Sequence, residues 1–199
     1  VSEVEAVIIE NGGANLASLR YALDRLGARS LVSADPATVA AAPRVLLPGV
    51  GAAADAMARL RAAGLIDCIR NLRQPLLGIC LGMQLLFAHS EEGDTAGLGL
   101  FPGRVRRLPA ASGQPVPHMG WNTCQRLRES PLLADLRQDE YFYFAHSYAV
   151  PVAEHTAATT AYGLPMSAVV QRQNFHGVQF HPERSGGAGA RLLRNFLEL

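Results

Sequence analysis

The stretch Pro75-Leu76-Leu77-Gly78-Ile79-Cys80-Leu81-Gly82-Met83-Gln84 decides the fold. Leu76, Leu77 and Ile79 have the apolar character of a short strand buried on both faces, as strands of parallel sheets are. Leu81 to Ala88 has the propensity of the helix that follows, so Cys80 falls at the join. Gly78 and Gly82, two residues to either side, remove side chains that would collide if a strand reversed sharply into a helix. The pattern is that of a nucleophile elbow. A helix N-terminus offers free N–H groups and a positive dipole end, which favour a thiolate at such a join and place the Leu81 amide to bind an oxyanion. The alternative use of Cys80 is as a small buried hydrophobe.

Upstream, Ala6-Val7-Ile8-Ile9 reads as a strand ending in the turn Glu10-Asn11-Gly12-Gly13, and Leu16, Leu19, Leu23 and Leu26 recur at helical spacing up to Gly27. Ser30 to Ser33 reads as a second strand, and Arg44-Val45-Leu46-Leu47 as a third that breaks at Pro48-Gly49-Val50-Gly51. Helices over about Ala52 to Ala63 and Leu65 to Leu72 lead back to the elbow strand. Strands alternating with helices imply a parallel sheet. Neither Gly12-Gly13 nor Gly49-Val50-Gly51 fits a dinucleotide fingerprint or a P-loop with its lysine, which argues against nucleotide binding. Gly49, Val50 and Gly51 are better placed for close backbone approach to a substrate beside Cys80, where they could add an oxyanion donor; a simple tight turn is the alternative.

After about residue 90 the pattern changes. Glycines at 97, 99 and 103 separate short pieces such as Arg104 to Leu108, and Tyr141 to Val150, Thr156 to Tyr162, Ala168 to Gln171 and Phe175 to Phe180 read as strands. Leu192, Leu193, Phe196 and Leu197 mark a closing amphipathic helix. The expected architecture is α/β: a single domain over residues 1–199 with an open, mostly parallel twisted sheet flanked by helices, and mixed or antiparallel C-terminal strands.

Composition bounds the function. With 199 residues, 49% hydrophobic content and a net charge of +1, the chain can build a real core and carries no basic stripe for nucleic acid or polybasic membrane patch. No apolar run has the length of a membrane span and no signal-peptide pattern opens the sequence, so a cytoplasmic location is expected. Cys68, Cys80 and Cys124 are an odd number without C-x-x-C pairing, and His118, His146, His155 and His176 are scattered without ligand spacing. No metal, cofactor or disulfide is expected, and Cys68 and Cys124 are read as inert.

Gly177-Val178-Gln179-Phe180-His181-Pro182-Glu183 supplies the second half of a site. In extended backbone His181 and Glu183 share one face, and Pro182 keeps His181 out of the α region. A carboxylate there fixes the imidazole tautomer and leaves the other nitrogen for a thiol, which with Cys80 makes a Cys-His-Glu triad. A solvated strand end is the alternative.

Gly78 to Gln84 together with His181-Pro182-Glu183 resembles the triad-type (class I) glutamine amidotransferases. Pro117-His118-Met119-Gly120-Trp121-Asn122, Tyr141 to Tyr148 and Gln179 to Ser185 look like the glutaminase-subunit branch of the imidazole glycerol phosphate synthases, and the resemblance covers nearly the whole chain. It implies hydrolysis of glutamine to glutamate, with ammonia passed to a cyclase subunit in a heterodimer that serves histidine biosynthesis. It also implies that Gln84, His146 and Ser147 line the glutamine pocket, with Leu81 and Gly49 to Gly51 as oxyanion donors. Met119, Trp121, Asn122 and Arg184 would lie near the cyclase, although Trp121 could equally be a core residue. Glu10-Asn11-Gly12 stands where the branch has Asp-Tyr-Gly, Arg184 where Lys is usual and Ser147 where Thr is common; none touches the triad. The competing classes are a free-standing cysteine hydrolase, the glutaminase of pyridoxal phosphate synthesis, and a binding module without catalysis.

Overall fold

The computed structural model describes residues 4–12, 16–110 and 114–199. Its elements in chain order are β1 (Ala6–Ile9), α1 (Leu16–Arg25), β2 (Ser30–Ser33), α2 (Pro36–Ala41), β3 (Val45–Gly49), α3 (Ala53–Ala62), α4 (Leu65–Arg70), β4 (Leu76–Cys80) and α5 (Leu81–Leu85). There follow β5 (Phe87–Ser90), β6 (Thr95–Ala96), β7 (Phe101–Arg107), β8 (His118–Thr123), β9 (Gln125–Arg126), β10 (Tyr141–His146), β11 (Tyr148–Ala149), β12 (Thr156–Tyr162), β13 (Leu164–Arg172), β14 (Phe175–Val178) and α6 (Gly186–Leu197). Gly13, part of the expected first turn, lies outside the described residues.

The main sheet has eight strands in the order β2-β1-β3-β4-β14-β13-β12-β9. Strands β2, β1, β3, β4 and β14 run parallel, and β13, β12 and β9 extend the sheet antiparallel. Alternation along β1 sends Ala6 and Ile8 to one face and Val7 and Ile9 to the other. On the first face Leu19 and Leu23 of α1 pack with Leu192, Leu193 and Phe196 of α6; on the second, Met57 and Leu60 of α3 pack with Leu65 and Ile69 of α4. The result is a sheet covered by helices on both sides, with β4 at its centre.

Several expectations need correction. The elbow helix stops at Leu85 instead of reaching Ala88. Residues 87–90 pair as a strand with β7 and β6, and the carbonyls of Leu85, Leu86 and Phe87 accept from the amides of Leu98, Leu100, Phe101 and Gly99, so the chain after Leu86 is drawn into a second sheet. The third strand runs on through Pro48 and Gly49. Pairing of β3 with β1 ends before Pro48, so its missing N–H costs no ladder bond on that side. Residues 87–149 also build two small sheets, β10-β8 and β11-β7-β5-β6, beside the main one. The expected strand from Tyr141 to Val150 is broken at Ser147. Helix α2 was not read from the sequence, yet Asp35-Pro36 announces it: Asp35 accepts from the Thr38 amide at 2.9 Å as N-cap, and Pro36 occupies the first turn.

Candidate active site

Cys80 ends β4 at φ 54°, ψ −112°, a conformation L-residues avoid, and α5 starts at the next residue. The reversal is made possible by absent side chains. A Cβ on Gly82 would collide with the Leu47 carbonyl oxygen, and one on Gly78 would come within 2.8 Å of backbone atoms of Gly82 and Met83. The elbow is therefore wedged against β3, and its thiol opens into a cavity of about 470 Å³ at the C-terminal edge of the sheet. Cavities of this size, at this edge of a parallel sheet, suit a small ligand.

Gly49, Val50, Gly51, Leu81, Gln84, His146 and Ser147, all named from sequence, lie in the cavity wall with Cys80 and His181. His181 Nδ1 is 2.8 Å from Glu183 Oε1, and both side chains are buried. The two do not meet along an extended strand as expected. β14 ends at Val178, His181 is extended, and Pro182–Arg184 form one 3₁₀ turn that brings Glu183 back under the imidazole. Burial alone would lower the His181 pKa; hydrogen bonds to Cys80 and Glu183 and their negative charge outweigh it and raise it to about 10. A proton held between thiol and carboxylate in this way can be given to a leaving group and taken back from water.

Gln84 and His146 carry less free valence than their positions suggest. Gln84 Nε2 donates to the Tyr148 carbonyl at 2.8 Å and to Gln179 Oε1 at 3.0 Å. Only its carbonyl oxygen remains for a ligand. Both His146 nitrogens are engaged, Nδ1 by the Tyr148 carbonyl and Nε2 by His118 Nδ1, and burial pushes its pKa down to about 4.

Sequence reading missed Glu92. Its carboxylate reaches the cavity wall while Oε2 accepts from the Ala53 amide at 2.9 Å, at the N-terminus of α3. One oxygen so anchored leaves the other to meet a cation. Gln179, two residues before His181, carries no sequence signal of a role, yet it is fully buried and donates from Nε2 to Cys80 Sγ at 3.8 Å. Among the other thiols, burial raises the pKa of Cys124, and burial followed by the charge of Asp35 raises that of Cys68; neither lines the cavity. Among the described residues no group of three or more His, Cys, Asp or Glu side chains could hold a metal ion.

Of the four residues expected near a partner, Met119 and Trp121 project outward from β8 and are 64% and 54% exposed, which removes the core reading of Trp121. Trp121 packs edge-on to Tyr143, and the Arg184 guanidinium stacks 4.3 Å from the same Tyr143 ring. Asn122 points the opposite way: its amide donates to the Ala161 carbonyl at 2.9 Å and to His118 Nε2 at 3.4 Å. Met119 and Arg184 also form part of the cavity mouth, so the apolar patch and the thiol site are continuous.

Residues 7–199 match the model of the family described as glutamine amidotransferase class-I. The chain is 55% identical over 195 residues, 98% of each chain, to the imidazole glycerol phosphate synthase subunit HisH of Xanthomonas euvesicatoria pv. vesicatoria. It is also 55% identical, with the same 98% coverage of both, to the subunit of that name from Xylella fastidiosa. A solved structure titled glutamine amidotransferase superposes with a TM-score of 0.76 over 98% of both chains at 18% identity, a likeness of fold.

Proposed function

The chain belongs to the class-I glutamine amidotransferases and, within them, to the HisH subunits of imidazole glycerol phosphate synthase, and on that premise we propose that it hydrolyses L-glutamine at Cys80 and hands the ammonia to a cyclase subunit. We read residues 1–199 as one glutamine amidotransferase domain working in the cytoplasm without metal or cofactor; among the described residues no helix is long and apolar enough to cross a membrane.

In this reading Cys80 Sγ attacks the side-chain amide carbon of glutamine, and the charge that develops on oxygen is met by the Leu81 N–H and the Gly49-Val50-Gly51 backbone. His181 gives its proton to the departing nitrogen as the C–N bond breaks, leaving a thioester and ammonia. It then takes a proton from the water that attacks the thioester, and glutamate leaves as the thiol is restored. Glu183 holds the imidazole in the tautomer that serves both steps. In the same cavity wall the second oxygen of Glu92 and the side-chain carbonyl of Gln84 are acceptors matched to the α-ammonium of an amino acid. His146 and Ser147 form the wall. The patch of Met119 and Trp121, with Arg184 on Tyr143, is the face offered to the cyclase.

The observation that carries this reading is the buried imidazole held between Glu183 and the elbow thiol beside a cavity with room for an amino acid. The test is ammonia release from glutamine by the purified chain, alone and with a cyclase subunit loaded with its ribonucleotide substrate, with Cys80→Ala as control. Stimulation by the loaded partner and silence of the variant are expected. Turnover by Cys80→Ala, or hydrolysis indifferent to the cyclase, would overturn it in favour of a free-standing hydrolase.

A further inference from the structure

One buried file of hydrogen bonds joins the partner-facing sheet to the thiol, and its donors and acceptors are all determined. The Tyr148 carbonyl can only accept, and it takes bonds from Gln84 Nε2 and His146 Nδ1, both at 2.8 Å. With its proton on Nδ1, neutral His146 must accept at Nε2, so His118 donates from Nδ1 at 3.0 Å and accepts at Nε2 from Asn122. Asn122 is fixed in turn, because its Oδ1 accepts from the Thr123 amide at 2.9 Å. On the other side of Tyr148 the same logic runs toward the thiol. The Gln84 amide must present its second N–H to Gln179 Oε1, which turns Gln179 Nε2 onto Cys80 Sγ.

We propose that Gln179 is a further residue of the reaction site, an N–H donor to the Cys80 sulfur, held in that orientation by the file that runs from Asn122 through His118, His146, the Tyr148 carbonyl and Gln84. The proposal rests on Cys80 being the nucleophile. A donor aimed at sulfur stabilises the thiolate more than the neutral thiol or the thioester, because a hydrogen bond to a charged acceptor is about twice as strong as one to a neutral acceptor. Gln179 therefore acts before attack, whereas the oxyanion donors act during it. His118 and His146 are positioning residues toward the thiol: neither touches the sulfur, and they pin the carbonyl from which the Gln84 and Gln179 amides take their direction. Met119 and Trp121 lie on the outer face of β8 and His118 and Asn122 on its inner face, so the file begins directly beneath the patch proposed for the cyclase.

The experiment is the pH profile of iodoacetamide alkylation at Cys80, followed by peptide mass so that Cys68 does not contribute. Gln179→Glu keeps the volume and the acceptor for Gln84 but replaces the donor to sulfur with an acceptor; Gln179→Met removes both. Each is expected to slow alkylation at pH 7 about three- to ten-fold and to move the midpoint of the profile upward by about half to one pH unit. His118→Phe retains the ring stacked between Phe144 and Tyr162 but has no Nδ1 donor, and is expected to slow alkylation about two- to three-fold, with His118→Asn restoring most of the loss. Folding of each variant is checked by circular dichroism, and the two Gln179 variants cover one another should either fail to fold. Unchanged rate and midpoint in a folded Gln179 variant would overturn the role of Gln179, and an unaffected His118→Phe would cut the file at Tyr148. Alkylation is read without glutamine, so either result is separate from the fate of Cys80→Ala in turnover.

Discussion

His181 Nδ1 stands 2.8 Å from Glu183 Oε1, with side-chain exposures of only 7% and 1%. Both residues hang from one 3₁₀ turn, so the carboxylate cannot leave without unwinding it. Glu183→Gln keeps the volume and can present an amide N–H to Nδ1, which moves the imidazole proton to the nitrogen that should face the thiol. A kcat loss of about 10²- to 10⁴-fold with little change in KM is expected in partner-stimulated glutaminase assays. Retention of more than a tenth of wild-type kcat would show that Glu183 is dispensable for orienting His181.

The elbow makes a stability prediction with an internal control. Gly82→Ala drives a methyl group into the Leu47 carbonyl, and β3 and β4 cannot separate without breaking the centre of the sheet. A loss of about 3 kcal/mol or more is expected in denaturant titration. Gly187, in the first turn of α6, has open space around the position of a Cβ. Gly187→Ala should be neutral or stabilising by up to about 1 kcal/mol.

These glycines also show why the elbow was legible in sequence and much of the second half was not. Gly78 and Gly82 are local to the feature they permit, as are the β-branched run of β1 and the leucine spacing of α1. The end of α5 is decided by the pairing of residues 87–90 with β7 and β6, which no periodicity around Leu85 records. The pairing of His181 with Glu183 was readable from their spacing, but the turn that accomplishes it was not, since Pro182 suits an extended segment and the first position of a 3₁₀ turn alike. Glu92 is an unremarked acid in sequence and reaches the cavity only because α3 brings its N-terminus there.

Acid should unfold the protein through its buried imidazoles. Burial pushes His118, His146 and His176 down to about 4, against about 6.5 in an unfolded chain. Between those values the unfolded state binds more protons than the native one, so stability rises with pH across the window and is lost as pH falls from 6.5 toward 4. Thermal melts from pH 7 to pH 4 should show that loss. His176→Leu, which fills its place in β14 without a titrating group, should make the slope shallower by about one proton. An unchanged slope would mean that His176 is not held neutral in the native protein.

Trp121 separates docking from chemistry. It is 54% exposed and touches Tyr143 only edge-on, so its removal leaves no cavity in the core. A large aromatic ring at the centre of an apolar patch is the kind of side chain on which association energy concentrates. Trp121→Ala should therefore keep the melting temperature within about 2 °C and leave glutamine hydrolysis without partner unchanged, while weakening the cyclase complex by about 2 kcal/mol, roughly thirtyfold in Kd. Titration calorimetry against the cyclase reads the affinity, and ammonia release at saturating cyclase reads what survives of the stimulation. If affinity falls and stimulation at saturation is intact, the ring is an anchor. Should affinity hold, the cyclase docks elsewhere and the outer face of β8 is not its seat.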